Sequence, residues 1–203
     1  MTLAMPKPER SPQVIVLAGP NGAGKSTSAP ALLRGTLGVT EFVNADVIAR
    51  GLSGFAPDGV AFEAGGIMLK RLRDLASART DFAFETTLAA RSLAPWIAGL
   101  CGNGYVFRLV YFWLPSPDLA VARVASRVAH GGHDVPEATV RRRYFAGLRN
   151  FLQLYRPLAT SWLCFDNSNG RNPYLVAAGR GTIETTVLDD ASWRTILEMA
   201  GHA

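Results

Sequence analysis

The chain is predicted to fold as a three-layer α/β domain around a central parallel sheet of five strands. Three observations carry that expectation. Short apolar runs alternate with stretches of helical periodicity, the pattern of strand–helix–strand units. The first run, Val14-Ile15-Val16-Leu17-Ala18, opens directly onto Gly19-Pro20-Asn21-Gly22-Ala23-Gly24-Lys25-Ser26, which fits the phosphate-loop (P-loop) pattern G-x-x-x-x-G-K-[ST] at every specified position. Residues 105–114 form an apolar strand of the kind that a sheet covered on both faces requires.

The 203 residues suffice for one such domain with a proper core, and 48% of them are hydrophobic without any apolar run of transmembrane length. Residues 1–12 contain three prolines and several charges but no apolar centre, so they read as a disordered tail and not a signal peptide; a single domain over 13–203 and a cytoplasmic location are expected. Cys101 and Cys164 show no metal-ligand spacing and read as small thiols of a reduced compartment. The formal charge is +5, but only Lys7, Lys25 and Lys70 of the 21 basic residues are lysines, and the planar guanidinium fork suits phosphorylated small molecules. With no Lys-rich run and no basic stripe interleaved with aromatics, neither nucleic acid nor a membrane is an expected partner.

In chain order, the phosphate loop leads into a helix over 26–34, which Pro30 should kink or end by removing a backbone donor. Glu41-Phe42-Val43-Asn44 is a short strand that brings the chain to Asp46. Gly51-Leu52-Ser53-Gly54 has the start of a transporter-ATPase signature but lacks its Gly-Gln continuation, and is a decoy. Residues 59–79 carry Val60, Ala64, Ile67, Met68, Leu72 and Leu75 at helical spacing, and Gly65-Gly66 within them suggests a close approach of backbone or ligand. Residues 81–87 are the next strand, with Glu85 at its carboxyl end; 91–100 are a helix, and Asn103-Gly104 turns the chain into the strand over 105–114.

Ser116-Pro117 starts a helix with serine as N-cap and proline at the first position. Its Val121, Val124, Ala125 and Val128 face one way, while Arg123 and Arg127, four apart, share the other side. Gly131-Gly132-His133 breaks it, and Asp134 with Glu137 restarts a helix as a capping-box-like pair. The stripe Val140, Tyr144, Leu148, Phe151 and Tyr155 is buried, with Arg141 at its edge. The two arginine-bearing helices over about 117–156 look like a lid that closes over phosphates. Residues 162–165 are the last core strand, 174–178 and 182–188 could pair as a hairpin, and Trp193, Ile196, Leu197 and Ala200 mark a terminal helix.

The chemistry follows from residue type and place. Backbone N–H groups of Pro20 to Thr27, proline excepted, would cradle the phosphates of ATP, with Asn21, Gly22, Ala23 and Gly24 forming the turn. Lys25 would reach the β and γ phosphates and the Ser26 hydroxyl would coordinate Mg²⁺. Asp46, after a strand, reads as the base for an acceptor hydroxyl, with capping of the next helix as the competing role. Glu85 could hold substrate hydroxyls, orient Mg²⁺-bound water or bond neighbouring backbone; Thr86 could touch substrate or cap a turn. Arg123, Arg127 and Arg141 are candidates to stabilise charge on the transferred group, and His133 is a ligand contact or an exposed loop residue.

Gly19 to Thr27, Val43-Asn44-Ala45-Asp46, Phe84-Glu85-Thr86-Thr87, and Gly131-Gly132-His133-Asp134-Val135-Pro136 with Arg141-Arg142-Arg143-Tyr144 resemble the short chromosomal branch of the zeta toxin-like P-loop kinases. The resemblance covers about residues 13–168. It implies a P-loop kinase-like fold, ATP and Mg²⁺ as cofactors, and phosphorylation of a UDP-N-acetylated amino sugar. It further implies Asp46 as the base, Glu85 and Thr86 on the sugar, lid arginines on the phosphates, and a small helical antitoxin as a partner. The rival reading is a nucleotide-binding ATPase or switch acting through a protein partner.

Overall fold

The computed structural model describes residues 10–54, 57–132, 134–170 and 172–201. Its seven-stranded sheet has the order β2-β3-β1-β4-β5-β6-β7. The strands are β1 (Gln13–Ala18), β2 (Phe42–Val43), β3 (Phe82–Thr86), β4 (Val106–Trp113), β5 (Ser161–Asp166), β6 (Tyr174–Arg180) and β7 (Ile183–Val187). The first five are parallel, as expected, and β6 and β7 add an antiparallel hairpin to β5. The expected five-stranded sheet is thus the parallel part of a wider mixed sheet. β1 lies between β3 and β4, and every residue of it is buried, because helices cover both faces.

The helices are α1 (Lys25–Pro30), α2 (Ala45–Leu52), α3 (Ala61–Ser77), α4 (Leu93–Gly102), α5 (Pro117–Ala129), α6 (Glu137–Asn150) and α7 (Asp190–Gly201). The expected effect of Pro30 is visible: α-helical bonding stops there and the chain continues as a π-helix, Ala31–Leu37, closed by Gly38 in the left-handed region. Ser116 caps α5, its Oγ accepting from Leu119 N at 3.1 Å. A side-chain carbon placed on Gly65 or Gly66 would meet nothing within 4 Å among the described residues, so the expected close approach of backbone is absent there.

Much of the region 117–156 is built into the core. On α5 the buried positions are Ala120 and Val124, whereas Ala125 and Val128 face solvent. On α6, Val140, Tyr144 and Leu148 are fully enclosed, and the π-helical turn Phe151–Tyr155 that continues it buries Phe151 and Tyr155. A helix with that much apolar surface in the core cannot swing away without exposing it. Asp134 does not cap α6: its carboxylate accepts from Val135 N, and Pro136 holds the cap position. Of the expected tail, residues 1–9 lie outside the described part, while Arg10 bonds Asp81 and the Pro12 carbonyl accepts from Val106 N at 2.8 Å. Apart from Ala49 and Ala64, the buried apolar residues form one cluster from Val14 to Ala200 among the described residues.

Candidate active site

The site is assembled where β1, β3 and β2 end side by side. In parallel strands the carboxyl ends share one edge, and the register places Leu17 opposite Glu85 and Ala18 opposite Thr86. The phosphate loop therefore leaves β1 beside Glu85. Gly24 adopts φ 79° as the residue before α1, and a side chain on Gly19 would strike the Phe112 carbonyl at 2.2 Å. Both positions thus need glycine for reasons of backbone shape.

Lys25 and Ser26 meet Glu85. The Lys25 ammonium donates to the carbonyls of Gly19 (2.9 Å) and Pro20 (2.8 Å) and lies 3.7 Å from Glu85 Oε1. Burial lowers its pKa, and the charges of Glu85 and Asp46 oppose that effect. Ser26 Oγ donates to Glu85 Oε2 at 2.7 Å. The same carboxylate oxygen accepts from Asn44 Nδ2 at 2.8 Å.

Asn44 also starts α2: its Oδ1 accepts from the backbone N–H of Asp46 at 2.8 Å and of Val47 at 3.3 Å. The cap is therefore Asn44, which frees Asp46 from the competing role. Asp46 sits in the first turn of α2 with an exposed side chain, near enough to Lys25 for its charge to act there. Helix α2 has its own sequence signal, Ala45, Ile48, Ala49 and Leu52 at helical spacing, behind the more conspicuous Leu52 decoy.

Beside the phosphate loop a cleft of about 640 Å³ is lined by Gly22, Gly24, Thr27, Arg50, Arg123 and Arg127, among others. Arg123 is committed to backbone, donating to Ser168 O at 2.6 Å and Gly22 O at 3.4 Å, and so ties α5 to the phosphate loop and to the turn after β5. Arg127 is half-buried in the same wall, and its charge acts on Lys25. Arg141 is occupied elsewhere, bridging Asp118 at 2.6 Å and Glu137 at 2.8 Å across the starts of α5 and α6. Its neighbour Arg143 is half-buried, and burial, then Arg142, lower its pKa against the pull of Asp46. Arg143 thus shares the neighbourhood of Asp46, which a helical wheel alone does not single out. His133 lies outside the described residues.

A second hollow, about 380 Å³, adjoins this cleft through Thr27, Asn167 and Gly170, with Leu32, Phe112 and Phe165 among its apolar walls. Asn167 locks it to the phosphate loop by donating from Nδ2 to Ala23 O at 2.8 Å. Thr86 Oγ1 accepts from Leu88 N at 3.1 Å, a turn-capping role that leaves its own proton to donate.

These features define a P-loop nucleotide-binding domain of the kinase-like α/β type. The family model described as an AAA domain matches residues 14–145, well over half of the chain, and the chain belongs to that family. An uncharacterized protein of Haemophilus influenzae is 28% identical over 134 residues, 65% of this chain and 92% of its own. Among solved structures, AvrRxo1-ORF1:-ORF2 with ATP superposes with a TM-score of 0.72 at 18% identity, over 93% of this chain and 64% of the matched one. The chain thus spans just under two thirds of that relative. The PezAT toxin–antitoxin system of Streptococcus pneumoniae superposes with a TM-score of 0.62 at 15% identity, over 97% and 87% of the two chains. At such identities the likeness is one of fold.

Proposed function

We propose that the protein transfers the γ-phosphoryl group of ATP to a hydroxyl of a small acceptor, in the manner of the zeta toxin-like kinases, with UDP-N-acetylglucosamine the acceptor to try first. The observation that carries this reading is the gathering of Lys25, Ser26 and Glu85 at one sheet edge, with Asp46 beside them and in no capping role. A hydrolytic switch needs no second carboxylate held ready on the acceptor side; a phosphotransferase does.

In this reading the phosphates lie in the loop, Lys25 contacts the β and γ groups, and the adjoining apolar hollow takes the adenine. Ser26 and Glu85 would hold Mg²⁺: two hard oxygens 2.7 Å apart suit a cation that keeps several waters and shares substrate phosphates. Bound there, Mg²⁺ would offset phosphate charge. Asp46 accepts the proton of the acceptor hydroxyl as its oxygen bonds to the γ phosphorus and the bond to the bridging oxygen breaks, releasing ADP. Arg127 and Arg143 would stabilise charge on the transferring group. Helix α6 and the loop after β3 would bind the acceptor. A protein partner, by analogy with PezAT, belongs to the same proposal.

The test is ADP release from ATP·Mg²⁺ with and without UDP-N-acetylglucosamine. Asp46→Ala is expected to lower the acceptor-stimulated rate by about 10²-fold or more, the usual range for loss of a general base, with ATP affinity nearly unchanged. Stimulation that survives in Asp46→Ala would overturn the role of Asp46.

A further inference from the structure

We propose that Gly147, Asn150 and Tyr155 are positioning residues that anchor the loop following β3, so that α6 governs the acceptor side of the site and not the nucleotide side. The inference rests on the reading above of that loop as an acceptor contact. Consecutive carbonyls of the loop turn towards this one helical surface. Asn150 Nδ2 donates to Leu88 O at 2.8 Å and Ala89 O at 3.3 Å, and Tyr155 OH donates to Ala90 O at 2.6 Å. Thr87 O comes so close to Gly147 that a side-chain carbon there would sit 2.2 Å from it.

The π-helical turn makes this possible. Positions 150 and 155 are five apart, which an ordinary α-helix would place on different faces; the wider turn over Phe151–Tyr155 brings them towards one face. The loop needs holding, because Leu88 is fully buried with φ 58°, a conformation that a branched residue keeps only where its surroundings impose it. The same turn orients two hydroxyls: Thr86 Oγ1 accepts from Leu88 N, and Thr87 Oγ1 from Ala89 N at 3.4 Å. If the carbonyls were released, both hydroxyls would lose their place at the end of β3. Glu85 would keep its own, since its backbone is in register with Leu17 within the sheet.

Two variants test the anchor independently. Asn150→Asp replaces the amide donor with a carboxylate facing two carbonyls, and Gly147→Ala forces the loop outward. In the full chain, both are expected to raise amide exchange over residues 86–92 and the KM for UDP-N-acetylglucosamine by about tenfold, with kcat and the Kd of Mg·ATP within about twofold of wild type. Unchanged exchange in both variants, an unchanged acceptor KM in a loosened loop, or an ATP affinity that falls in parallel would each overturn the anchor. If the wild-type protein does not turn over this sugar nucleotide, the acceptor assignment falls. The anchor is then decided by loop exchange against ATP affinity alone, a loosened loop with intact ATP binding supporting it and either other result overturning it.

Discussion

Asn44 uses the two ends of one amide for different purposes. Its oxygen closes the start of α2, and its nitrogen bonds Glu85. Asn44→Asp separates them: the cap acceptor stays, while the donor becomes a second carboxylate facing Glu85. The start of α2 should therefore survive, but the chain should lose about 1–3 kcal/mol at neutral pH and the phosphotransfer rate should fall by about tenfold or more, as Glu85 loses its hydrogen bond and a second buried carboxylate faces it. Denaturation and ADP-release measurements on one preparation check both parts. A sequence can show Lys25 and Ser26, because their chemistry is local to the loop that bears them. It cannot show that Glu85 meets Ser26, since that contact exists only through the β1–β3 register. The arginines illustrate the same limit. A helical wheel puts Arg141 at the edge of the buried stripe, but Asp118, from another helix, captures it. Arg143 lies near Asp46 because of how α6 packs against its neighbours.

At the level of elements, α5 is the most legible, since serine followed by proline fixes a start through local chemistry alone. Ser116→Ala removes the acceptor for Leu119 N and should cost about 1 kcal/mol in denaturant unfolding, with little effect on the ATP Kd because Arg123, two turns further along, still ties α5 to the phosphate loop. The start of α6 is misleading in the sequence, because Asp134 satisfies its immediate neighbour instead of capping the helix. For a related reason the arginines of α6 suggest a moving lid in the sequence, but the buried stripe from Val140 to Tyr155 ties the helix to the core, and any motion has to expose it. Pro30 shows the opposite case, a local rule that survives packing, with the α-to-π transition placed where the backbone donor is missing.

Across the whole molecule, β1 holds the phosphate loop at the centre of the sheet and the C-terminal hairpin completes the core beyond residue 145, where the family match ends. Trp162 stacks on Trp193 at 5.4 Å, with Arg156 over both rings and paired with Glu184 at 2.7 Å, so β5, β7 and α7 are fastened together. The parallel strands are readable from apolar runs; the joining of the hairpin to β5 is not, because antiparallel addition at an edge leaves no separate mark in the sequence. The packed core also sets a pH response. Burial raises the pKa of Tyr111 and Tyr144, and pushes that of Tyr155 up to about 12. In the unfolded chain these phenols ionise near the ordinary value of about 10, so the unfolded state binds fewer protons above that pH. Their contribution is fully present below about pH 10 and is lost as pH rises through the raised values. Denaturation midpoints should thus begin to fall above about pH 10, and Tyr155→Phe should make that fall shallower; an unaltered pH dependence in the variant would count against the buried phenol.

Phosphoryl transfer is tested most directly by the fate of γ-³²P from ATP in a single turnover with UDP-N-acetylglucosamine, wild type beside Asp46→Asn. Label is expected in the sugar nucleotide, formed by the wild-type protein and lost in the variant. Label that appears only as inorganic phosphate, at the same rate in both proteins and for every hydroxyl acceptor supplied, would contradict it and leave a nucleotide hydrolase in its place.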